Sequence, residues 1–94
     1  MEFHIQLIRD IIAVIRKDDA TVHVIEDNVL VSHKYCGHDI VAWFKGDGMV
    51  YIYKSQSVNL DDLRRQKYVY FDTHSCIGKT HEAYRNKLKE FVGE

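Results

Sequence analysis

Residues 21–54 contain four short segments rich in β-branched and aromatic residues, each separated from the next by a turn signal. The segments are 21–26, 29–35, 40–45 and 49–54. The turns are Asp27-Asn28, Cys36-Gly37-His38 and Gly46-Asp47-Gly48. Short connections of this kind join antiparallel neighbours, and glycine accepts the positive φ that hairpin turns require. This part of the chain therefore predicts an antiparallel meander, which restricts the fold more than any other feature.

Helical patterns lie on both sides of the meander. In residues 3–17, isoleucines recur at helical spacing, and Asp18-Asp19 ends the pattern. Apolar and polar residues alternate over Met1–Leu7, so a strand is an alternative to the first helical turn. Asn59 caps a short predicted helix over 60–66, a fifth strand covers 68–72, and a last helix covers 79–92. We therefore predict an α+β fold: a two-layer, five-stranded, mainly antiparallel meander sheet with an N-terminal and a C-terminal helix on one face and a short helix before the last strand.

Composition indicates one compact domain over residues 1–94, because the chain is 46% hydrophobic, 29% charged and free of proline. No apolar run approaches the roughly 20 residues that span a bilayer, and Glu2, Arg9 and Asp10 interrupt the apolar N-terminus. We expect a cytoplasmic protein with reduced thiols and no membrane partner. The net charge of −1 gives no general attraction to nucleic acid, but the balance is −3 over 1–47 and +2 over 48–94. The second half is the side that favours an anionic partner.

Two clusters contain both cysteines and several histidines, which are ligands that zinc prefers. Cys36 and His38 belong to the first, and His74 and Cys76 to the second. They meet only if residues 55–67 form a parallel crossover, the arrangement we expect, and if the fifth strand lies near the first cluster. One alternative function is therefore a zinc module. The pairs are separated by one residue rather than the usual two to four, so buried thiols and solvated histidines are the simpler interpretation.

The same cysteines have two further interpretations. A Cys36–Cys76 disulfide would suit an oxidising compartment. A Cys76 thiolate activated by His74, His81 or a helix N-terminus would make a small hydrolase. Two histidines acting as acid and base on a phosphodiester, with Lys79 holding the phosphate, would make a nuclease. The sequence contains no complete catalytic signature, so we favour a protein that is not an enzyme and that has no cofactor.

Gly78-Lys79-Thr80 lies between the fifth strand and the last helix, the place of a phosphate-binding loop. Thr73 occupies the position where that motif needs its first glycine, which argues against an NTPase. A helix N-terminus beside lysine still suits an anion. The alternative is structural: Gly78 makes a turn and Thr80 caps the helix.

Strand alternation sorts the side chains onto two faces. The aliphatic face matches the helical stripes and is the predicted core. The other face would display Trp43, Tyr51, Tyr53, Tyr68 and Tyr70. Our main functional hypothesis is a non-catalytic protein that binds a protein partner, or a second copy of itself, through these aromatic residues. The alternative is a module that binds nucleic acid or a phosphate ligand through Arg64, Arg65, Lys67, Lys79 and Thr80.

Overall fold

Five strands of the described part of the chain form one antiparallel sheet in which spatial order follows chain order, β1-β2-β3-β4-β5. The computed structural model describes residues 8–13 and 20–93. The strands are β1 (Thr21–Ile25), β2 (Asn28–Tyr35), β3 (His38–Phe44), β4 (Met49–Lys54) and β5 (Tyr68–Asp72). The helices are α1 (residues 8–13), α2 (Leu60–Arg64) and α3 (Thr80–Val92), with a 3-10 turn at Thr73–Cys76. The predicted α+β meander with helices at both ends is confirmed, whereas the predictions for residues 1–7 and for Asp18-Asp19 lie outside the described residues.

Two-residue turns connect the first three strands. Glu26 and Asp27 have φ of 49° and 68°, and Cys36 and Gly37 have φ of 50° and 80°. Positive φ at both central residues matches the right-handed twist of a hairpin. The prediction that Asp27-Asn28 makes the first turn was wrong by one residue: Asn28 pairs with Ile25 and already belongs to β2.

The main core lies between one face of the sheet and the helices α1 and α3. Ile11 of α1 and Tyr84 and Leu88 of α3 are fully buried there against alternate residues of the strands. These strand residues are Val31, Ile40, Ala42, Phe44, Val50, Ile52 and Phe71. The predicted aliphatic face is therefore confirmed, and so is the apolar side of the last helix. Gly93 ends α3 in the left-handed conformation at φ 82°.

A buried polar contact fixes α3 on this face. The Tyr84 hydroxyl donates to His33 Nε2 at 2.5 Å, while His33 Nδ1 lies 3.0 Å from the Lys34 carbonyl oxygen. His33 is thereby oriented with Nδ1 as donor and Nε2 as acceptor. Complete burial raises the pKa of the Tyr84 hydroxyl, which keeps it protonated as the donor.

Helix α2 lies on the opposite face of the sheet. Asn59 caps it as expected, because its side chain accepts a hydrogen bond from the Asp62 amide at 3.1 Å. Its Leu60 and Leu63 pack in a second buried cluster with Leu30, Val41, Trp43 and Tyr53. The helix thus covers one part of the aromatic face and leaves another part open. No helix within the described residues has the length and apolarity needed to span a membrane.

Candidate functional site

Three tyrosines from β4 and β5 form a contiguous group beside the part of the sheet that α2 covers. We call Tyr51, Tyr68 and Tyr70 the tyrosine surface. Tyr51 and Tyr70 are cross-strand partners whose rings stack with centroids 6.0 Å apart. Tyr68 approaches Tyr51 edge-on at 5.3 Å and Tyr70 at 6.2 Å. Tyr68 is 46% exposed and Tyr70 is 53% exposed, so two of the three rings present about half of their area to solvent.

The other two aromatic residues predicted for this surface are not displayed. Trp43 is 2% exposed and Tyr53 is 3% exposed, because α2 covers them. The Trp43 Nε1–H donates to Asn28 Oδ1 at 3.0 Å, so its polar edge is satisfied within the fold. Burial raises the pKa of Tyr53 to about 12. The prediction that all five aromatic residues are exposed together was therefore wrong for Trp43 and Tyr53, which are core residues.

Lys45 borders the tyrosine surface, and Arg64 lies over the neighbouring Trp43 ring. Lys45 Nζ lies 4.6 Å from the ring centroids of both Trp43 and Tyr51, and the Arg64 guanidinium lies 5.7 Å from the Trp43 ring. Arg64 also forms a 3.0 Å ion pair with Asp61 on the same exposed helix. Because this carboxylate offsets the charge of Arg64, the surface is more aromatic than basic. Of the other basic residues of the alternative site, Arg65 and Lys67 are exposed between α2 and β5, and Lys79 is exposed before α3.

The backbone of β5 adds hydrogen-bonding groups beside these rings. Thr73 N–H bonds to Gly48 O across the end of the β4–β5 ladder at 3.0 Å. Ladder bonds alternate, so Phe71 and Val69 bond toward β4, while Tyr70 and Tyr68 direct their N–H and C=O groups away from it. Since β5 is an edge strand of the described sheet, none of the four other described strands receives them. Within residues 8–13 and 20–93, no hydrogen-bond partner for these outward groups is present.

The two Cys/His clusters lie at opposite ends of the sheet. The strand β5 is antiparallel to β4, so the expected parallel crossover over residues 55–67 was wrong. The Cys36 turn therefore lies at one end of the strands, and His74 and Cys76 lie at the other. The strand β5 is also three positions from β2 in the sheet. Cys36, His38, His74 and Cys76 are not brought together, no metal-binding group of three or more ligands occurs among the described residues, and neither cysteine forms a disulfide.

The second cluster is instead a turn stabilised by local hydrogen bonds. The Asp72 carboxylate lies 2.9 Å from both the His74 amide and His74 Nδ1, and these bonds lower the pKa of Asp72. The Cys76 thiol donates to the backbone oxygens of Asp72 and Thr73. Burial and then the Asp72 charge raise the pKa of that thiol. The neutral thiol is favoured, which is the opposite of what a nucleophilic cysteine requires.

The Gly78-Lys79-Thr80 segment also differs from its predicted role. Lys79, not Thr80, occupies the cap position of α3, and its side chain makes no capping bond. The Thr80 side chain is buried and donates to Asp10 Oδ2 at 3.2 Å. A carboxylate of the chain itself is thus hydrogen-bonded in the first turn of α3, where the helix dipole favours an anion. The geometry favours α1–α3 docking over a phosphate site at this position.

Two surface clefts lie away from the tyrosine surface. One of about 420 Å³ lies between the β1–β2 turn and the N-terminus of α2 and includes Arg64. The other, of about 330 Å³, lies at the end of the sheet that includes His38 and Lys54. Neither of these two clefts contains a tyrosine, so the exposed rings lie outside both of them.

The sequence did not reveal which part of the aromatic face α2 would cover. Leu60 and Leu63, spaced three residues apart, were the available signal for an apolar side of that helix that must pack somewhere. The contact of Lys45 with two aromatic rings and the open backbone of β5 had no sequence signal, because both depend on strand order. Comparison of the chain with protein-family models, with curated proteins and with solved structures finds no match.

Proposed function

We propose that this protein is a non-catalytic interaction module that binds a protein partner through the tyrosine surface. The observation that carries the proposal is the group of three contacting tyrosine rings, two of them about half exposed, on the part of the sheet that α2 leaves open. Each ring is held by its neighbours, so little side-chain freedom remains to be lost on binding. Rigid aromatic rings of this kind dominate the energetics of protein interfaces.

Charge supports a protein rather than a nucleic acid as the partner. The chain has a net charge of −1, and Arg64 is already paired with Asp61. The Thr80 hydroxyl of the alternative phosphate site is bonded to Asp10. A nucleic-acid site needs several cations that neutralise backbone phosphates, and here Lys45 and Arg64 lie over aromatic rings instead.

The proposal is tested by affinity capture from a lysate of the native host, with the purified chain as bait. Wild type is compared with the double variant Tyr68→Ala/Tyr70→Ala. The matched control is Val24→Thr, because Val24 is 72% exposed on the other edge strand, β1. Removing two interface tyrosines costs at least about 1.4 kcal/mol, which is about a tenfold loss of affinity.

We expect wild type and Val24→Thr to retain the same protein, and the tyrosine variant to retain at least about tenfold less of it. The captured protein should resist nuclease treatment and raised salt. Equal capture by the tyrosine variant refutes the proposal. Loss of all captured material on nuclease treatment, or a steep loss with salt, refutes it in favour of nucleic acid.

The compartment is part of the proposal. No disulfide joins Cys36 and Cys76, which the fold places at opposite ends of the sheet. This arrangement favours a cytoplasmic protein with reduced thiols.

A further inference from the structure

The edge strand β5 has a backbone that can pair with a second copy of itself. Its outward groups are the N–H and C=O of Tyr68 and Tyr70, as the β4–β5 ladder dictates. If two copies of β5 run antiparallel about a two-fold axis at Val69, Tyr68 of each faces Tyr70 of the other. Each of these two pairs exchanges two backbone hydrogen bonds, so all the outward groups of Tyr68 and Tyr70 are satisfied.

The competing symmetric register, centred on Tyr70, is less favourable. It pairs Tyr68 with Asp72 of the other copy and therefore needs the Asp72 carbonyl oxygen. That oxygen already accepts a hydrogen bond from the Ser75 hydroxyl at 2.8 Å. Another symmetric register, centred on Tyr68, pairs Gln66 with Tyr70 of the other copy and needs the Gln66 N–H, which already donates to the Leu63 oxygen at 3.0 Å. Hydrogen bonding within the chain thus favours the register centred on Val69.

Side chains in the Val69 register are also compatible. The directly opposed pairs are Tyr68 with Tyr70, Val69 with Val69, Lys67 with Phe71, and Gln66 with Asp72. No like charges face each other, a condition that edge-to-edge pairing must satisfy. Because the axis is perpendicular to the sheet, the tyrosine surfaces of both copies lie on the same side and continue across the junction.

We infer that the partner of the tyrosine surface is a second copy of this chain, joined by antiparallel β5–β5 pairing about Val69. This inference rests on the proposed function and specifies its partner. About half of each of four tyrosine side chains, roughly 100 Å² apiece, is available to be covered. The resulting 400 Å² or so is well below the 1,200 Å² of a standard stable interface, so the dimer forms reversibly and depends on concentration.

Cysteine cross-linking tests both the dimer and its register. Cys36→Asn and Cys76→Ser first remove the native thiols, and single cysteines are then introduced by Val69→Cys or Tyr70→Cys. Opposed residues of a non-hydrogen-bonded pair have Cα atoms about 4.5 Å apart, within the range that a disulfide spans. We expect Val69→Cys to form an intermolecular disulfide under mild oxidation and Tyr70→Cys to form at least about tenfold less. The opposite preference, or equal slow cross-linking of both, overturns the inferred register.

Sedimentation equilibrium of the reduced protein tests association itself. Wild type should shift with concentration from the 11.1 kDa chain mass toward twice that value. Tyr68→Lys/Tyr70→Lys opposes like charges and should remain monomeric. Tyr68→Lys/Tyr70→Glu opposes unlike charges in the Val69 register, so it should dimerise more strongly than the double-lysine variant, although less strongly than wild type because it lacks both tyrosine rings.

A wild-type protein that is monomeric at every concentration overturns the dimer. The proposed function then survives if the lysate experiment still gives tyrosine-dependent capture of a different protein, and fails if it does not. The inference is also overturned if Val24→Thr abolishes dimerisation while the tyrosine variants still dimerise, because the contact would then lie on β1.

Discussion

Replacing Trp43 with alanine should cost much more folding stability than replacing Tyr70, although both aromatic residues lie on the same face of the sheet. Trp43 is 2% exposed beneath α2, whereas Tyr70 is 53% exposed on the edge strand. Trp43→Ala removes a buried ring and also the hydrogen bond to Asn28 Oδ1. Tyr70→Ala removes one stacked contact with Tyr51 on an exposed surface. The comparison therefore separates core from surface within one face.

The magnitudes differ enough to be measured without ambiguity. A buried tryptophan truncated to alanine costs about 3–5 kcal/mol. For Tyr70→Ala, the lost cross-strand pair and the lower strand preference of alanine together cost about 1 kcal/mol. A chain of 94 residues has a free energy of unfolding of about 5–14 kcal/mol in total. Trp43→Ala therefore removes a large part of the stability, and Tyr70→Ala a small part.

Urea denaturation followed by far-ultraviolet circular dichroism measures both variants. Fluorescence is unsuitable for the comparison because Trp43 is the only tryptophan of the chain. Trp43→Phe serves as an intermediate control, since it keeps one buried aromatic ring but loses the second ring and the bond to Asn28. The reasoning is refuted if Trp43→Ala costs no more than Tyr70→Ala, because α2 would then not cover Trp43.

Three further predictions address other contacts. Gly48 has φ of 89°, and a Cβ added there would lie 2.3 Å from His74 Cε1. Gly48→Ala should therefore lower the free energy of unfolding by more than about 1 kcal/mol, and by less when His74 is also replaced by alanine. An equal loss with and without His74 contradicts the close approach. Tyr84→Phe should lower the free energy of unfolding by about 1–3 kcal/mol, because it removes the hydroxyl that donates to buried His33. Circular dichroism should show an unchanged helix content. An unchanged free energy of unfolding would show that this hydrogen bond does not stabilise the fold. Burial raises the pKa of Tyr53 from 10 to about 12 and also raises the pKa of Tyr84. The free energy of unfolding should therefore be at its full value below pH 10 and fall as the pH rises toward 12, because only the unfolded chain loses these protons readily. A urea midpoint that stays constant over this range contradicts the burial of the two hydroxyls.

The meander was predictable because local chemistry determines hairpins. Gly37 and Gly48 mark turns, and both have a positive φ, which glycine adopts more readily than other residues. Strand alternation then assigned Ile40, Ala42 and Phe44 to the core face, as the structure confirms. These inferences need only neighbouring residues, so the sequence alone supports them.

The direction of β5 and the position of α2 were not predictable in the same way. The connection over residues 55–67 is long enough for a parallel crossover, yet the chain returns antiparallel beside β4. Its length is compatible with both paths, and only packing of Leu60 and Leu63 over Trp43 distinguishes them. The antiparallel direction of β5 separates the two Cys/His clusters, and the position of α2 buries Trp43 and Tyr53.

Hydrogen exchange of the β5 amides in dilute protein tests the account most directly. If β5 is an edge that no other part of the chain covers, the amides of Val69 and Phe71 exchange slowly, because they bond to β4. The amides of Tyr68 and Tyr70 then exchange fast, and become protected when the protein is concentrated. Slow exchange of Tyr68 and Tyr70 in dilute, monomeric protein would contradict the account, because it would show that the chain itself already covers this edge.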